Sequence, residues 1–119
     1  MAKVFYLHWN EAELKERIAL LKKSGYEITS HWSTETHAQF GETLPDAVVI
    51  SLDRLPSHGR ATAEWFVEAK KRQHIPIIFA GGQPDKVKAT KIKFPKVLFC
   101  SAEEAPAVLN RVLRARAAK

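Results

Sequence analysis

The chain has little of what cross-links a protein or anchors it in a membrane. Cys100 is its one cysteine among 119 residues, so a disulfide framework is excluded and a reducing cytoplasm is the expected location. No apolar run approaches the roughly 20 residues that a membrane-spanning helix needs. Met1-Ala2-Lys3 runs straight into a strand pattern and charged residues follow by Glu11, which argues against a signal peptide. We therefore expect a cytoplasmic protein with no membrane partner.

The chain also lacks the motifs of several common enzyme and cofactor sites. Its five histidines have no tight metal-ligand spacing, so we predict no metal and no cofactor. Gly81-Gly82 lacks the remainder of a phosphate-binding motif, and a simple turn explains the pair better. Ser51 with His8 or His58 lacks the Gly-x-Ser-x-Gly context of an exposed nucleophile. The chain is therefore predicted not to be an enzyme.

The length and composition suit one small domain. A chain of 119 residues that is 45% hydrophobic can bury a single core and has little material for a second. We predict one domain over residues 1 to 119. Its last predicted helix runs almost to Lys119, so we expect a stand-alone module that works by contact.

Apolar runs alternate five times with helical patterns along the chain. The predicted strands are Lys3 to Leu7, Tyr26 to Trp32, the run entered by Pro45-Asp46, the run opened by His74-Ile75-Pro76, and Lys96 to Ser101. The predicted helices run from the Asn10 cap signal to Ser24-Gly25, from Thr34 to Phe40, from Gly59 to Arg72 with Ser57 as cap, from Pro84-Asp85 to about Lys91, and from Ser101 with Glu104 onward. This alternation predicts a parallel sheet between two helical layers, with strand order 2-1-3-4-5, as in the flavodoxin-like fold.

The stretch from Pro45 to Gly59 carries the clearest resemblance to a known family. A buried run follows Pro45-Asp46 and ends in a loop with proline and glycine. It resembles the third strand of the receiver domain of bacterial two-component response regulators. Counting from either Pro45 or Gly59 places Ser51 where receivers have the phosphorylated aspartate, although Pro56 comes one residue late. Asp53 lies two residues further and would face the same side if the strand continued.

The other positions of the resembled pocket have also changed. Receivers end the first strand with two acidic residues that hold a divalent cation, and here His8 and Trp9 stand there, followed by Asn10. The switch Ser/Thr falls at Gly81, and the lysine after strand five falls near Cys100. The predicted degenerate phosphorylation pocket comprises His8, Trp9, Asn10, Ser51, Asp53, Gly81 and Cys100. The resemblance thus implies a pseudo-receiver that acts through protein contact, and the alternative is phosphorylation on Asp53.

Positive charge is concentrated in the last third of the chain. Residues 85 to 119 have nine Lys/Arg against three Asp/Glu, whereas residues 1 to 84 have ten of each. The predicted interaction face consists of Lys86, Lys88, Lys91, Lys93, Lys96, Arg111 and Arg114. In receivers the fourth helix, fifth strand and fifth helix form the usual contact surface, so we expect an acidic protein partner or a homodimer there. Nucleic acid is a weaker alternative, because Phe94 is the one nearby aromatic besides Phe99, which we expect to be buried. The plainest alternative is a solvated surface.

Overall fold

Five strands and four helices alternate along the part of the chain that the structure describes. The structure is a computed structural model, and it describes residues 3–8, 11–23, 25–31, 44–52, 56–68, 74–95, 97–101 and 103–117. The elements are β1 (Lys3–Leu7), α1 (Glu11–Lys22), β2 (Glu27–His31), β3 (Ala47–Ser51), α2 (Pro56–Glu68), β4 (Ile77–Ala80), α3 (Pro84–Lys93), β5 (Leu98–Cys100) and α4 (Ala105–Ala117).

The strands form one parallel sheet with the order β2-β1-β3-β4-β5. This confirms the predicted fold class and strand order. The central strand, β3, has the sequence AVVIS and is buried at every residue. Such continuous burial is expected of a parallel strand with helices on both faces, and branched side chains pack well on its pleated surface.

Alternate residues of the strands build two hydrophobic layers, one on each face of the sheet. Phe5 and Leu7 of β1 point to the layer that α2 and α3 cover, and this layer also contains Phe66 of α2 and Phe94, the residue that follows α3. The opposite layer lies beneath α1 and α4. Its buried members are Val4, Tyr6, Leu14, Leu21, Ala47, Val49, Ile78, Ala80, Ala105 and Leu109. A side chain can therefore be assigned to a face of the sheet from its place in the strand.

The turn that leads into the last helix has the reciprocal Ser101–Glu104 hydrogen bonds of the capping box that the sequence predicts. The Glu104 N–H donates to the Ser101 hydroxyl over 3.1 Å, and the Ser101 N–H donates to the Glu104 carboxylate over 3.1 Å. These bonds hold the pKa of Glu104 below its ordinary value. Pro106 is the second residue of α4, where a missing N–H costs nothing.

The helix predicted from Gly59 to Arg72 corresponds to α2, and its predicted start was wrong. The helix starts at Pro56, which places Ser57 inside the first turn and not at the cap. Proline is favoured at the first helical position because its φ angle is already helical. Phe66 of this helix is fully buried, whereas Trp65 is 38% exposed. The helix predicted over Thr34 to Phe40 and the predicted end at Arg72 lie outside the described residues.

Two smaller differences concern α3 and β5. The α3 helix continues to Lys93, two residues beyond its predicted end. Phe99 is partly buried, not fully buried as predicted, and it stacks on Phe79 with ring centroids 5.2 Å apart.

Within the described ranges, every helix is too short or too polar to cross a membrane.

Candidate functional site

Two buried polar side chains lie at the carboxyl ends of neighbouring strands. His8 directly follows β1, and Ser51 is the last residue of β3. The two strands pair in parallel, with Leu7 opposite Ile50, so their carboxyl ends share one edge of the sheet. Both side chains have no exposed surface. Such groups must find partners inside the protein, because burying an unsatisfied polar group is unfavourable.

The partners of His8 come from α1. Glu13 and Arg17 are four residues apart and therefore lie on the same side of that helix. The Glu13 carboxylate lies 2.8 Å from His8 Nε2, and the Arg17 guanidinium lies 3.1 Å from His8 Nδ1. A guanidinium only donates hydrogen bonds, so Nδ1 must be the acceptor and Nε2–H must donate to Glu13. This arrangement fixes a neutral imidazole in one tautomer.

Arg17 also connects the ends of the two strands. The same Nη1 atom donates to the Ser51 hydroxyl over 3.1 Å. We call the chain of contacts Glu13, His8, Arg17 and Ser51 the Arg17 network. Arg17 therefore places a permanent positive charge beside Ser51, which stands where receivers have the phosphorylated aspartate.

The Arg17 network occupies both ring nitrogens of His8. A nucleophilic serine needs a base that accepts its proton. Both ring nitrogens of His8 are occupied, one by Glu13 and one by Arg17. In this geometry neither ring nitrogen of His8 is available to accept a proton from Ser51. The side chain of His58, the other histidine considered as a base, lies outside the described residues.

The residues present do not fit the Mg²⁺ ion that the receiver resemblance implies. Mg²⁺ is bound through carboxylate, carbonyl and water oxygens, whereas β1 ends here in an imidazole that is already bonded on both sides. The Arg17 guanidinium at the Ser51 hydroxyl would also repel a divalent cation. Among the residues with a described placement, no three His, Cys, Asp or Glu side chains cluster as metal ligands do. Trp9, Asn10 and Asp53, the remaining candidates here, lie outside the described residues.

The glycine pair after β4 forms a turn that packs against β3. Gly81 and Gly82 have φ angles of 75° and 95°, which favour glycine. The Gly81 N–H donates to the Cys100 carbonyl over 2.9 Å. A Cβ atom on Gly82 would lie 2.7 Å from Cβ of Leu52. Tight packing and backbone conformation therefore explain the pair, and the switch position carries no hydroxyl.

Cys100 supplies no positive charge to the pocket. It is the last residue of β5 and packs against the layer beneath α1 and α4. Burial raises the pKa of its thiol, and the negative charge of Glu104 raises it further. The thiol is therefore neutral near pH 7 and acts as a small apolar group.

The basic residues predicted as an interaction face are exposed on α3 and α4, which correspond to the fourth and fifth predicted helices. They comprise Lys86, Lys88, Lys91, Lys93, Arg111 and Arg114, and we call them the basic surface. Lys91 lies 5.4 Å from the ring centre of Phe99. Lys93 forms an ion pair with Glu64 of α2, so its charge is directed toward the protein's own surface. Lys96 lies outside the described residues.

Solved structures with the same architecture include receiver domains. The receiver domain of a histidine kinase from Syntrophus aciditrophicus has a TM-score of 0.74, with 97% of this chain and 92% of that chain covered at 14% identity. The chemotaxis response regulator CheY4 of Vibrio cholerae has a TM-score of 0.70, with 94% and 98% covered at 14% identity. The chain has the receiver fold.

The shared fold does not determine the chemistry of the pocket, which depends on the residues of this chain. A de novo designed Rossmann 2x3 protein also matches, with a TM-score of 0.61, 12% identity and coverage of 97% of this chain and 91% of that one. No family model and no curated protein matches the sequence. At such low identities the shared fold does not carry over a reaction.

Sequence reasoning identified His8 and Ser51 but missed the side chain that joins them. Glu13 completes the Asn10 cap signal at the predicted start of the first helix, and Arg17 belongs to no predicted site. Their spacing of four residues, directly after the strand that ends at His8, is a detectable signal. The contact between Arg17 and Ser51 spans 34 positions, and no local pattern indicates it.

Proposed function

We propose that this receiver-like domain is a pseudo-receiver, which signals by protein contact without being phosphorylated. The observation that supports this most is the position of Arg17, whose guanidinium bonds the Ser51 hydroxyl. Receivers need a carboxylate acceptor and a divalent cation there. Here Ser51 supplies a buried hydroxyl in place of the carboxylate, and Arg17 supplies a positive charge in place of the cation.

Several changes in the pocket support the same proposal. Phosphoryl transfer depends on positive groups that stabilise the charge on the transferred phosphoryl group. Gly81 and Cys100 provide neither a switch hydroxyl nor a cation, and both have structural reasons for their identity. A domain built this way has a fixed pocket in place of one that switches with phosphorylation.

Titration with Mg²⁺ tests whether the pocket is independent of metal. We expect the backbone amide chemical shifts of His8, Ser51 and Gly81 to stay unchanged at millimolar Mg²⁺, because the positive charge of Arg17 already lies beside Ser51. A phosphorylatable receiver, titrated in parallel, provides the positive control. Saturable shifts at the strand ends would contradict the proposal.

We further propose that the contact is made through the basic surface with an acidic region of another protein. The surface is positively charged and exposed, so it attracts negative partners over the screening length of the solvent. A second copy would bring the same positive charge into contact with it, and like charges oppose association. An acidic partner therefore suits this surface better than a homodimer does.

A charge-reversed variant tests the basic surface. Lys88, Lys91 and Arg111 are changed together to Glu, and Lys93 is left because of its pair with Glu64. The matched control changes three exposed cations of the α1 region, Lys15, Lys22 and Lys23. Proteins captured from the native host should bind wild type and control, and they should be lost from the basic-surface variant.

Two results would reject this part of the proposal. Equal capture by both charge-reversed variants would show that the basic surface is only solvated. Salt-sensitive binding of unrelated duplex or single-stranded nucleic acid by wild type, lost in the basic-surface variant, would favour nucleic acid as the partner. Circular dichroism verifies the fold of each variant, since exposed charges contribute little to stability.

A further inference from the structure

His8 takes part in a link between two strand ends that requires its neutral form. The ring has no exposed surface, and its Nδ1 atom accepts a hydrogen bond from Arg17 over 3.1 Å. The same Nη1 atom of Arg17 donates to the Ser51 hydroxyl over 3.1 Å. Histidine is the side chain whose charge ordinarily changes at mildly acidic to neutral pH. The link between the ends of β1 and β3 therefore depends on the protonation state of one buried ring.

A proton taken up from solvent at Nδ1 would reverse the role of that atom. A protonated imidazole has an N–H on both ring nitrogens, so Nδ1–H would face the N–H groups of the Arg17 guanidinium. Two donors cannot form a hydrogen bond with each other, and two positive charges this close repel. The added proton and the contact with Arg17 therefore exclude each other.

Glu13 provides the negative charge that a protonated ring needs. Its carboxylate lies 2.8 Å from Nε2, so this hydrogen bond becomes an ion pair when His8 is charged. A positive charge in a fully buried ring is unfavourable without such a partner. Arg17 is half-buried, so its guanidinium can leave His8 for water through a change of side-chain rotamer. The protonated ring thus has a partner of its own once Arg17 has moved.

The groups around the ring come from several elements. Helix α1 contributes Glu13 and Arg17, and β3 contributes the uncharged Ser51. Tyr6, a phenol, lies on the same face of β1, and Glu104, which precedes the helix α4 that covers this face, is held in its capping box. Further titratable residues close in sequence or register have side chains outside the described residues: Glu11, His31 and Asp53. Among the described groups, Glu13 and Arg17 are therefore the charges that contact the ring, and they act on its proton in opposite directions.

We propose that protonation of His8 releases Arg17 from the ends of β1 and β3, so that the Arg17 network is a pH-sensitive link. In the neutral state, Arg17 connects His8 with Ser51. In the protonated state, His8 and Glu13 form an ion pair and Arg17 turns to solvent. Because Arg17 makes both contacts through one atom, its departure from His8 also removes the donor to Ser51. This release involves neither a phosphoryl group nor a metal ion, so it is independent of the pseudo-receiver proposal.

NMR titration of the nitrogen-15-labelled protein, from neutral pH to the onset of acid unfolding, tests this proposal. The ring nitrogens of His8 report its protonation, the guanidinium nitrogens of Arg17 report the loss of its contacts, and the backbone amide of Ser51 reports the end of β3. We expect all three sets of signals to change with one common midpoint. His74, an exposed histidine that precedes β4, serves as the reference ring.

Two variants should move this midpoint in opposite directions. Arg17→Met removes the opposing charge, so the His8 midpoint should rise by about one pH unit, which is a tenfold gain in proton affinity. Glu13→Gln removes the supporting charge, so the midpoint should fall by a similar amount. The matched controls, Lys22→Met and Glu16→Gln, remove the same charges at exposed positions of α1 and should shift the midpoint by less than about 0.3 pH unit.

Three outcomes would overturn the proposal. The first is that His8 stays neutral until the protein unfolds, which would mean that the folded state does not switch. The second is that the signals of Arg17 and Ser51 do not follow the His8 midpoint, which would mean that the ring gains its proton without displacing Arg17. The third is that Arg17→Met shifts the midpoint no more than Lys22→Met does. If Arg17→Met does not fold, an unchanged midpoint in Glu13→Gln overturns the proposal in its place.

Discussion

Arg17 reaches from α1 to the ends of two strands and provides hydrogen bonds to buried side chains on both. Its guanidinium bonds His8 Nδ1 and the Ser51 hydroxyl. A charge of this kind, partly shielded from water, is favourable when several of its N–H groups are paired. We interpret Arg17 as the residue that ties the end of β1 to the end of β3.

Arg17→Met tests this role, because methionine preserves much of the apolar stem and removes the charge. We expect the free energy of unfolding to fall by about 1–3 kcal/mol, since His8 and Ser51 each lose a donor in a buried setting. Lys22→Met, an exposed change on the same helix, should stay within about 0.5 kcal/mol of wild type. Urea denaturation measures both variants, and equal losses would refute the assigned role.

The imidazole of His8 provides an independent readout of the same variant. Nitrogen-15 NMR should detect the Nε2–H tautomer in wild type at neutral pH, because Arg17 donates to Nδ1. In Arg17→Met the carboxylate of Glu13 still accepts from Nε2–H, whereas Nδ1 loses its donor, so the Nδ1 signal should shift and the Nε2 signal should change less. An unchanged Nδ1 signal in the variant would contradict the contact with Arg17.

At the scale of elements, the turn between β4 and α3 depends on a close approach to β3. Gly82 has a positive φ angle, and Leu52 leaves no space for a Cβ atom. Gly25, after α1, has a φ angle of 85° but no atom within 4 Å of a built Cβ. A Cβ atom would therefore cause backbone strain at both positions, but it would crowd a neighbouring side chain only at Gly82.

Gly82→Ala should therefore be more damaging than Gly25→Ala. We expect Gly25→Ala to destabilise the fold by about 1–2 kcal/mol through backbone strain alone. Gly82→Ala should add about 1–3 kcal/mol, because the new methyl group must displace Leu52. Thermal and urea unfolding of the pair measure the difference, and equal losses would show that the turn can move away from β3.

The capping box of α4 predicts a specific dependence of stability on pH. The pKa of Glu104 is lowered in the folded protein, so its contribution is present above its unfolded pKa and is lost as the pH falls through the folded pKa. Wild type should therefore lose stability in this acidic window more steeply than Glu104→Gln. Glu103→Gln, an exposed neighbour outside the box, controls for the loss of one negative charge. Parallel pH profiles for wild type and Glu104→Gln would contradict the capping role.

The sequence predicted the strands better than the helix boundaries and the pocket. The predicted first strand, Lys3 to Leu7, coincides with β1, because a short apolar run in a parallel sheet is bounded by polar residues. The start of α2 was missed because Pro56 was interpreted as part of a loop, although proline also begins helices. The Arg17 network was missed because contacts between distant elements depend on the tertiary fold.

At the scale of the whole molecule, the two ends of the sheet have different chemistry. At the carboxyl ends of the strands, the Arg17 network joins the ends of β1 and β3, and the Gly81 N–H bonds the carbonyl at the end of β5. The amino-terminal ends of β4 and β5 present a mostly apolar groove, and α3 and α4 carry the basic surface. Under the proposed function, the basic surface contacts a partner and the Arg17 network has a structural role.

Treatment with acetyl phosphate and Mg²⁺, followed by intact mass measurement, tests the central claim most directly. We predict that wild type gains no phosphoryl group, while a phosphorylatable receiver treated in parallel does. Ser51→Asp should also remain unlabelled, because its new carboxylate would face Arg17 in place of a metal ion. A wild-type adduct of one phosphoryl group that maps to Asp53 and is lost in Asp53→Asn would contradict the account and establish a phosphorylated receiver.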